Sequence, residues 1–138
     1  MTNKILDAIA IAYSAHLGQK DKAGNEYIEH VLSVSKEVEK EEEKMVALLH
    51  DVVEDSDYSL EDLKRYDFPD TVIEAVDCIT KRESEKYKDY LERVKCNKLA
   101  REVKIKDIGN NMQRLKNLEE EEQKRLHKKY NFALERLW

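Results

Sequence analysis

Residues 45–55 read Met-Val-Ala-Leu-Leu-His-Asp-Val-Val-Glu-Asp, and the fold turns on this stretch. Val46, Leu48, Leu49, Val52 and Val53 make it the most apolar segment of the chain, which predicts a buried central helix over 45–53. On a helix, residues four apart share a face, so His50 stacks beside Glu54 and Asp51 beside Asp55. The two pairs occupy adjacent strips, because successive residues turn by about 100°. Four polar or acidic side chains then project from one buried helix. Burying that much charge is costly unless something offsets it, and a divalent cation would do so. The competing reading is a solvated helix end, with Glu54 and Asp55 lying past the core.

On either side of this stretch the chain keeps helical period. Upstream, Asn3 can cap a helix running to about His16, with Ile5, Leu6, Ile9 and Tyr13 on one stripe. Gly18 to Asn25 is a polar loop with two glycines, and a second helix begins near Tyr27 and carries His30 on an apolar stripe. The charge run Glu39 to Lys44 reads as a solvated helix end and start. Downstream, Ser59-Leu60-Glu61-Asp62 resembles a capping box and starts a short helix, which Phe68-Pro69 interrupts. Asp70 is expected to cap the next helix, and Tyr87 to Val94 forms another. Asn97 caps a long one through Asp107 to about Leu118, and acidic Glu119 to Glu122 opens the last. The expectation is an all-α single domain over residues 1–138, a bundle of about seven or eight helices. The closing Leu134, Leu137 and Trp138 either cover the core or form a dimer contact, so oligomeric state stays open.

Composition narrows the function. The chain has 138 residues, 25 Lys and Arg against 30 Asp and Glu, and a net charge of −5. Only three glycines and one proline are present, which favours helices over a turn-rich β fold. A negative chain does not attract DNA, RNA or an anionic membrane over long range, so no nucleic-acid polymer is expected as a partner. A small phosphorylated substrate remains possible, because a metal and a few lysines reverse the field locally. Cys78 and Cys96 form no CxxC pair and read as reduced thiols of a cytoplasmic protein. No apolar run approaches the ~20 residues needed to span a bilayer, and Met-Thr-Asn-Lys does not open like a signal peptide.

Taken singly, His30 reads as a hydrogen-bonded core histidine and Asp107 as a surface ion pair on a basic helix. Their order carries more. His30, then His50-Asp51, then Asp107 fall on three different expected helices. Around them stand Ala15-His16-Leu17-Gly18-Gln19 with Gly24 and Tyr27-Ile28-Glu29-His30, then Ala47 through Ser56, Ile79-Thr80-Lys81, and Val103 through Met112. These four ordered motifs, over roughly residues 8 to 116, resemble the HD-domain phosphohydrolases, and in particular the Rel/SpoT-type small alarmone hydrolases that include metazoan SpoT homologues.

The resemblance implies an HD-superfamily helical bundle in which His30, His50, Asp51 and Asp107 hold one metal, usually Mn2+. It gives Glu54 and Asp55 the task of orienting or deprotonating the attacking water. It places Asn111 near the substrate ribose, with Lys22 and Lys81 available to phosphates. His16 belongs to the first motif without being a ligand and reads as structural, and His127 as a surface residue. Three positions depart from the family pattern. Asp21 stands where the family has an arginine against the guanine base, Val31 where a proline follows the first metal histidine, and Asn110 where the last motif has histidine.

The implied activity is Mn2+-dependent release of pyrophosphate from guanosine 3′,5′-bis(diphosphate). The alternatives are an HD phosphatase acting on another nucleotide or metabolite, such as NADPH or a nucleoside phosphate, and a non-catalytic HD-fold binding module. Larger relatives also synthesise the alarmone. About twenty residues follow the last motif here, too few for a second catalytic domain, so no synthetase activity is expected.

Overall fold

The structure is a computed structural model that describes residues 3–138, with side chains from Lys4 onward. The Asn3 side chain, and with it the expected cap, therefore lies outside what the structure describes. The described chain is all helical, in the order α1 (Asn3–His16), α2 (Tyr27–Lys36), α3 (Glu41–Leu49), α4 (Val52–Asp55), α5 (Leu60–Lys64), α6 (Asp70–Ile79), α7 (Tyr87–Lys95), α8 (Lys98–Gln113), a 3-10 turn (Leu115–Asn117) and α9 (Glu120–Leu137). Helices α4 and α5 are four and five residues long, which leaves seven longer helices. The only extended pairing among the described residues is an isolated bridge between Lys20 and Glu26, which closes the loop between α1 and α2. No helix among them is long and apolar enough to cross a membrane.

Helix α3 is the centre. Met45 through Leu49 are all buried, and α1, α2, α6 and α8 pack around them. Its second half, Met45 to Leu49, is apolar all round, as a segment enclosed by other helices must be, while the charged Glu41 to Lys44 form its more exposed first turn. Helix α9 lies against α7 and α8 and buries Leu126, Ala133 and Leu137, while Trp138 is exposed. Leu137 thus belongs to the core.

The expected caps form at two places. The Ser59 hydroxyl accepts from the Asp62 amide at 3.1 Å, and the Asp62 carboxylate accepts from the Ser59 amide at 2.9 Å. Asn97 Oδ1 accepts from the Ala100 amide at 2.9 Å. Asp70, by contrast, is the first residue of α6 rather than its cap, because Pro69 already holds the extended backbone before the first turn. Helix α8 stops at Gln113, short of the expected Leu118, and the chain tightens into the 3-10 turn.

The central expectation needs a larger correction. The helix does not run through residues 45–53. It ends at Leu49, and Asp51 adopts φ −109° and ψ 0°, outside the helical region, before α4 restarts at Val52. His50 and Glu54 therefore do not stack on one continuous helix. On such a helix neighbouring side chains diverge by about 100°. The break turns the Asp51 carboxylate back toward its own neighbour, so His50 and Asp51 can face a common centre.

Candidate metal centre

Three segments deliver that centre. His30 projects from α2, His50 and Asp51 from the break after α3, and Asp107 from α8. One ligand atom from each of these four residues falls within 4.8 Å of all the others. His30 Nε2 is 2.8 Å from Asp107 Oδ1, His50 Nε2 is 3.2 Å from the same oxygen, and His50 Nε2 is 2.9 Å from Asp51 Oδ2. His30, His50 and Asp107 are buried, and the Asp51 side chain is 13% exposed.

Each imidazole is aimed by its far nitrogen. His30 Nδ1 lies 2.8 Å from Asn110 Oδ1 and His50 Nδ1 lies 2.5 Å from the Ala47 carbonyl. Both oxygens are acceptors, so each Nδ1 carries the proton and each Nε2 faces the centre, as a metal-ligating histidine requires. Tyr27 donates its hydroxyl to Asp51 Oδ2, and burial followed by the Asp51 charge keeps that phenol protonated. Lys104 reaches Asp107 Oδ2 at 3.0 Å, on the oxygen turned away from the histidines.

Electrostatics fits these residues to a cation. Burial opposes charge on His50, yet Asp51 and then Asp107 hold its proton well above the usual imidazole range. The carboxylates stay ionised despite burial, Asp107 chiefly through Lys104 and Asp51 chiefly through His50. The pocket is thus built around positive charge. A divalent cation supplies that charge and lets both imidazoles ligate as neutral groups.

Two cavities flank the centre. One, of about 360 Å³, is lined by Tyr27 and Asn111 at its inner end and by Lys22, Arg114, Arg125 and Lys129 further out. The other, of about 700 Å³, runs past Glu54, Lys81, Lys104, Tyr87 and Phe132. Arg125 and Lys129 of α9 border both.

No family model matches the chain. Curated relatives do. Over 131 residues the chain is 35% identical to a GTP pyrophosphokinase of Streptomyces coelicolor, covering 86% of this chain and 15% of that protein. Over 133 residues it is 32% identical to a guanosine-3′,5′-bis(diphosphate) 3′-pyrophosphohydrolase of Haemophilus influenzae, covering 86% of this chain and 20% of that one. The chain therefore spans a fifth or less of the length of these relatives. A solved structure, of a metazoan SpoT orthologue described as hydrolysing ppGpp, superposes with a TM-score of 0.85 at 26% identity over 99% of this chain and 86% of that one. The chain belongs to the Rel/SpoT-type HD family.

In this Rel/SpoT-type domain the remaining candidate residues take distinct places. Glu54 and Asp55 stand outside the four-residue group. Glu54 Oε1 accepts from the Lys81 amide at 2.5 Å. Loss of hydration, then the Asp51 charge, raises the pKa of both acids. Asn111 donates to Asp107 Oδ1 at 3.4 Å and accepts from Arg114. Lys22 pairs with Glu122 of α9, and the Lys81 ammonium bonds the Arg82 carbonyl at 3.2 Å. His16 is buried, with Nδ1 on Gln19 Oε1 at 2.9 Å, and His127 is exposed.

Tyr27, Lys104 and Arg114 do not stand out in the sequence as site residues, and Asn110 stands out there only as a departure from the family pattern. For Lys104 a signal existed. It stands three residues before Asp107, so the pair shares one helix face; the ion pair is present but buried rather than on the surface.

Proposed function

We propose that residues 1–138 act as one HD hydrolase domain that cleaves the 3′-pyrophosphate ester of guanosine 3′,5′-bis(diphosphate) or a close relative, with Mn2+ held by His30, His50, Asp51 and Asp107. The observation that carries this reading is the convergence of those four side chains from three segments, in a chain whose relatives include enzymes named for this reaction. The metal, when bound, supplies Lewis acidity and lowers the pKa of water. Glu54 or Asp55 takes the proton of the attacking water, and the raised pKa of each makes it a stronger base than a free carboxylate. Lys81, Lys104, Lys129 and Arg125 offset the charge of the phosphates in the second cavity, and Lys22 and Asn111 hold the substrate on the other side. Attack at the phosphorus on the 3′ oxygen breaks that P–O bond and releases pyrophosphate and a nucleoside diphosphate.

The stretch shared with the pyrophosphokinase-named relatives is the part bearing this metal group, so we assign it hydrolysis and no synthetase activity. We place the reaction in the cytoplasm, where the unpaired Cys78 and Cys96 stay reduced. The test is metal content and pyrophosphate release, measured together. In His50→Ala and Asp51→Ala both are expected to vanish, because each removes a ligand. Full metal content in both variants would refute the assignment.

A further inference from the structure

Helix α1 has a composition unlike the rest of the chain. Charged residues make up 40% of the sequence, yet from Ile5 to Leu17 only Asp7 and His16 are ionisable near neutral pH. His16 is buried, and Asp7 pairs with Lys4 at 3.7 Å. The inward face of α1 enters the core through Ala8, Ile11 and Ala12. The outward face is apolar as well. The stripe expected over Ile5, Leu6, Ile9 and Tyr13 splits, with Ile5 in the core and Leu6 and Tyr13 turned to solvent. Leu6 is 54% exposed and Tyr13 49%, with exposed Ala10 between them, and Leu17, just past the end of the helix, is 86% exposed.

A helix apolar on every side is normally enclosed by other elements. The elements packed on α1, chiefly α2, α3 and α4, leave its outward face open. Leu6, Ala10, Tyr13 and Leu17 recur there at intervals of four, three and four. At about 100° per residue they fall within about 60° of one another, which is the narrow seam of a helix pair. The seam is self-complementary. Against a second copy running the other way, Leu6 meets Leu17 and the small Ala10 meets the large Tyr13. The same contacts then repeat about a twofold axis, as an isologous interface requires.

Charge and area agree with that partner. The chain has a net charge of −5, but the four seam residues carry none to oppose a second copy. Interface cores are depleted in charge and enriched in tyrosine. Exposed apolar patches of this kind cover about 300–600 Å². Two face to face remove about 600–1,200 Å² from water, the range of small reversible interfaces. A membrane surface fits less well. Interfacial helices flank their apolar face with lysine and arginine, and α1 offers Lys4 alone, already paired with Asp7.

We propose that the outward face of α1 is a homodimer interface, in which α1 packs antiparallel against α1 of a second copy. The experiment is sedimentation equilibrium of the full chain from roughly 1 μM to 1 mM protein. The weight-average mass should climb from that of one chain toward that of two. Leu6→Lys alone and Leu17→Glu alone should each weaken association at least about tenfold, because each takes a charge into the seam. Combined in one chain they should recover most of that loss, since position 6 of one copy faces position 17 of the other and the new charges are opposite. Tyr13→Ser adds no charge and should also weaken association. All three sites are exposed, so helical circular dichroism and melting temperature should stay unchanged. A single-chain mass at about 1 mM leaves the face to another occupant and overturns the inference. A dimer that none of the single substitutions weakens places the interface elsewhere, and a combined variant no tighter than either single one refutes the antiparallel register. Neither measurement involves hydrolysis, so the outcome is independent of the proposed reaction.

Discussion

Lys104→Met should move two observables in opposite directions. The ammonium lies 3.0 Å from Asp107 Oδ2, with 16% of its side chain and 4% of the aspartate's exposed. Methionine keeps an unbranched stem and removes the ammonium, which also lies 5.5 Å from the centroid of the Tyr90 ring, so the loss is nearly all electrostatic. Removing one partner of a buried ion pair costs about 3–5 kcal/mol, because the remaining charge is left uncompensated. Unfolding entropy is roughly 2.1 cal/mol/K per residue, or about 0.29 kcal/mol/K over 138 residues. The metal-free variant should therefore melt about 10–17 °C below the wild type. Metal affinity should rise at the same time, since a cation entering the variant meets two carboxylates and no competing ammonium. A gain of about 1.4 kcal/mol corresponds to tenfold. Thermal unfolding with and without Mn2+ reads both effects. A metal-free loss below about 1 kcal/mol, or a Mn2+-induced shift no larger than in the wild type, would refute the reasoning.

Three further outcomes follow from the same geometry. Glu54→Gln should keep its metal and lower turnover, as atomic emission and pyrophosphate release will show; unchanged turnover removes Glu54 from the chemistry. Mn2+ should stabilise the protein more as pH rises. The raised folded pKa of His50 gives metal-free protein a contribution that is full below the ordinary imidazole value of 6.5 and fades as pH climbs through the raised value, and the cation competes with that same proton. A Mn2+-induced melting shift that is flat with pH contradicts this. Finally, Arg93 holds Glu85 through two 2.8 Å bonds and donates to the carbonyls of Asp77, Cys78 and Thr80 at the end of α6, so Arg93→Ala should cost about 2–3 kcal/mol. The Arg93 bonds pull Glu85 down to about 2, so this contribution is present above the ordinary value of 4.5 and is lost as pH falls toward 2. Urea unfolding at about pH 6 and about pH 3 should show the gap between variant and wild type narrowing in acid; a constant gap argues against it.

Local rules carried much of the fold. The caps at Ser59 and Asn97, the break at Pro69 and the last helix are all short-range features, and they were legible as residue types at fixed offsets. The centre was legible in part. The dipeptide His50-Asp51 stood out because it interrupts the most apolar stretch, but its backbone was misread as continuous helix. No residue type next to Asp51 marks the break, and the long-range contact of Asp51 with Tyr27 accompanies it. The supporting residues were harder still. Tyr27 meets Asp51 across 24 positions and Asn110 meets His30 across 80, and a single sequence carries no sign of such pairings. Arg114 and Asp21 are 93 positions apart, so Asp21 could be read only as a missing arginine, not as the partner of one across the cavity.

Helix α9 supplies no metal ligand, yet its Arg125 and Lys129 border both cavities. The chain thus separates two kinds of inheritance. The candidate metal centre and its support are written at or before residue 110, among side chains that depend on one another for burial and charge. The walls that meet a substrate are written partly on the outward face of a helix whose exposed residues are free to vary without unsettling that centre. Relatives with the same four ligands can therefore diverge in what they accept by drifting along one helix.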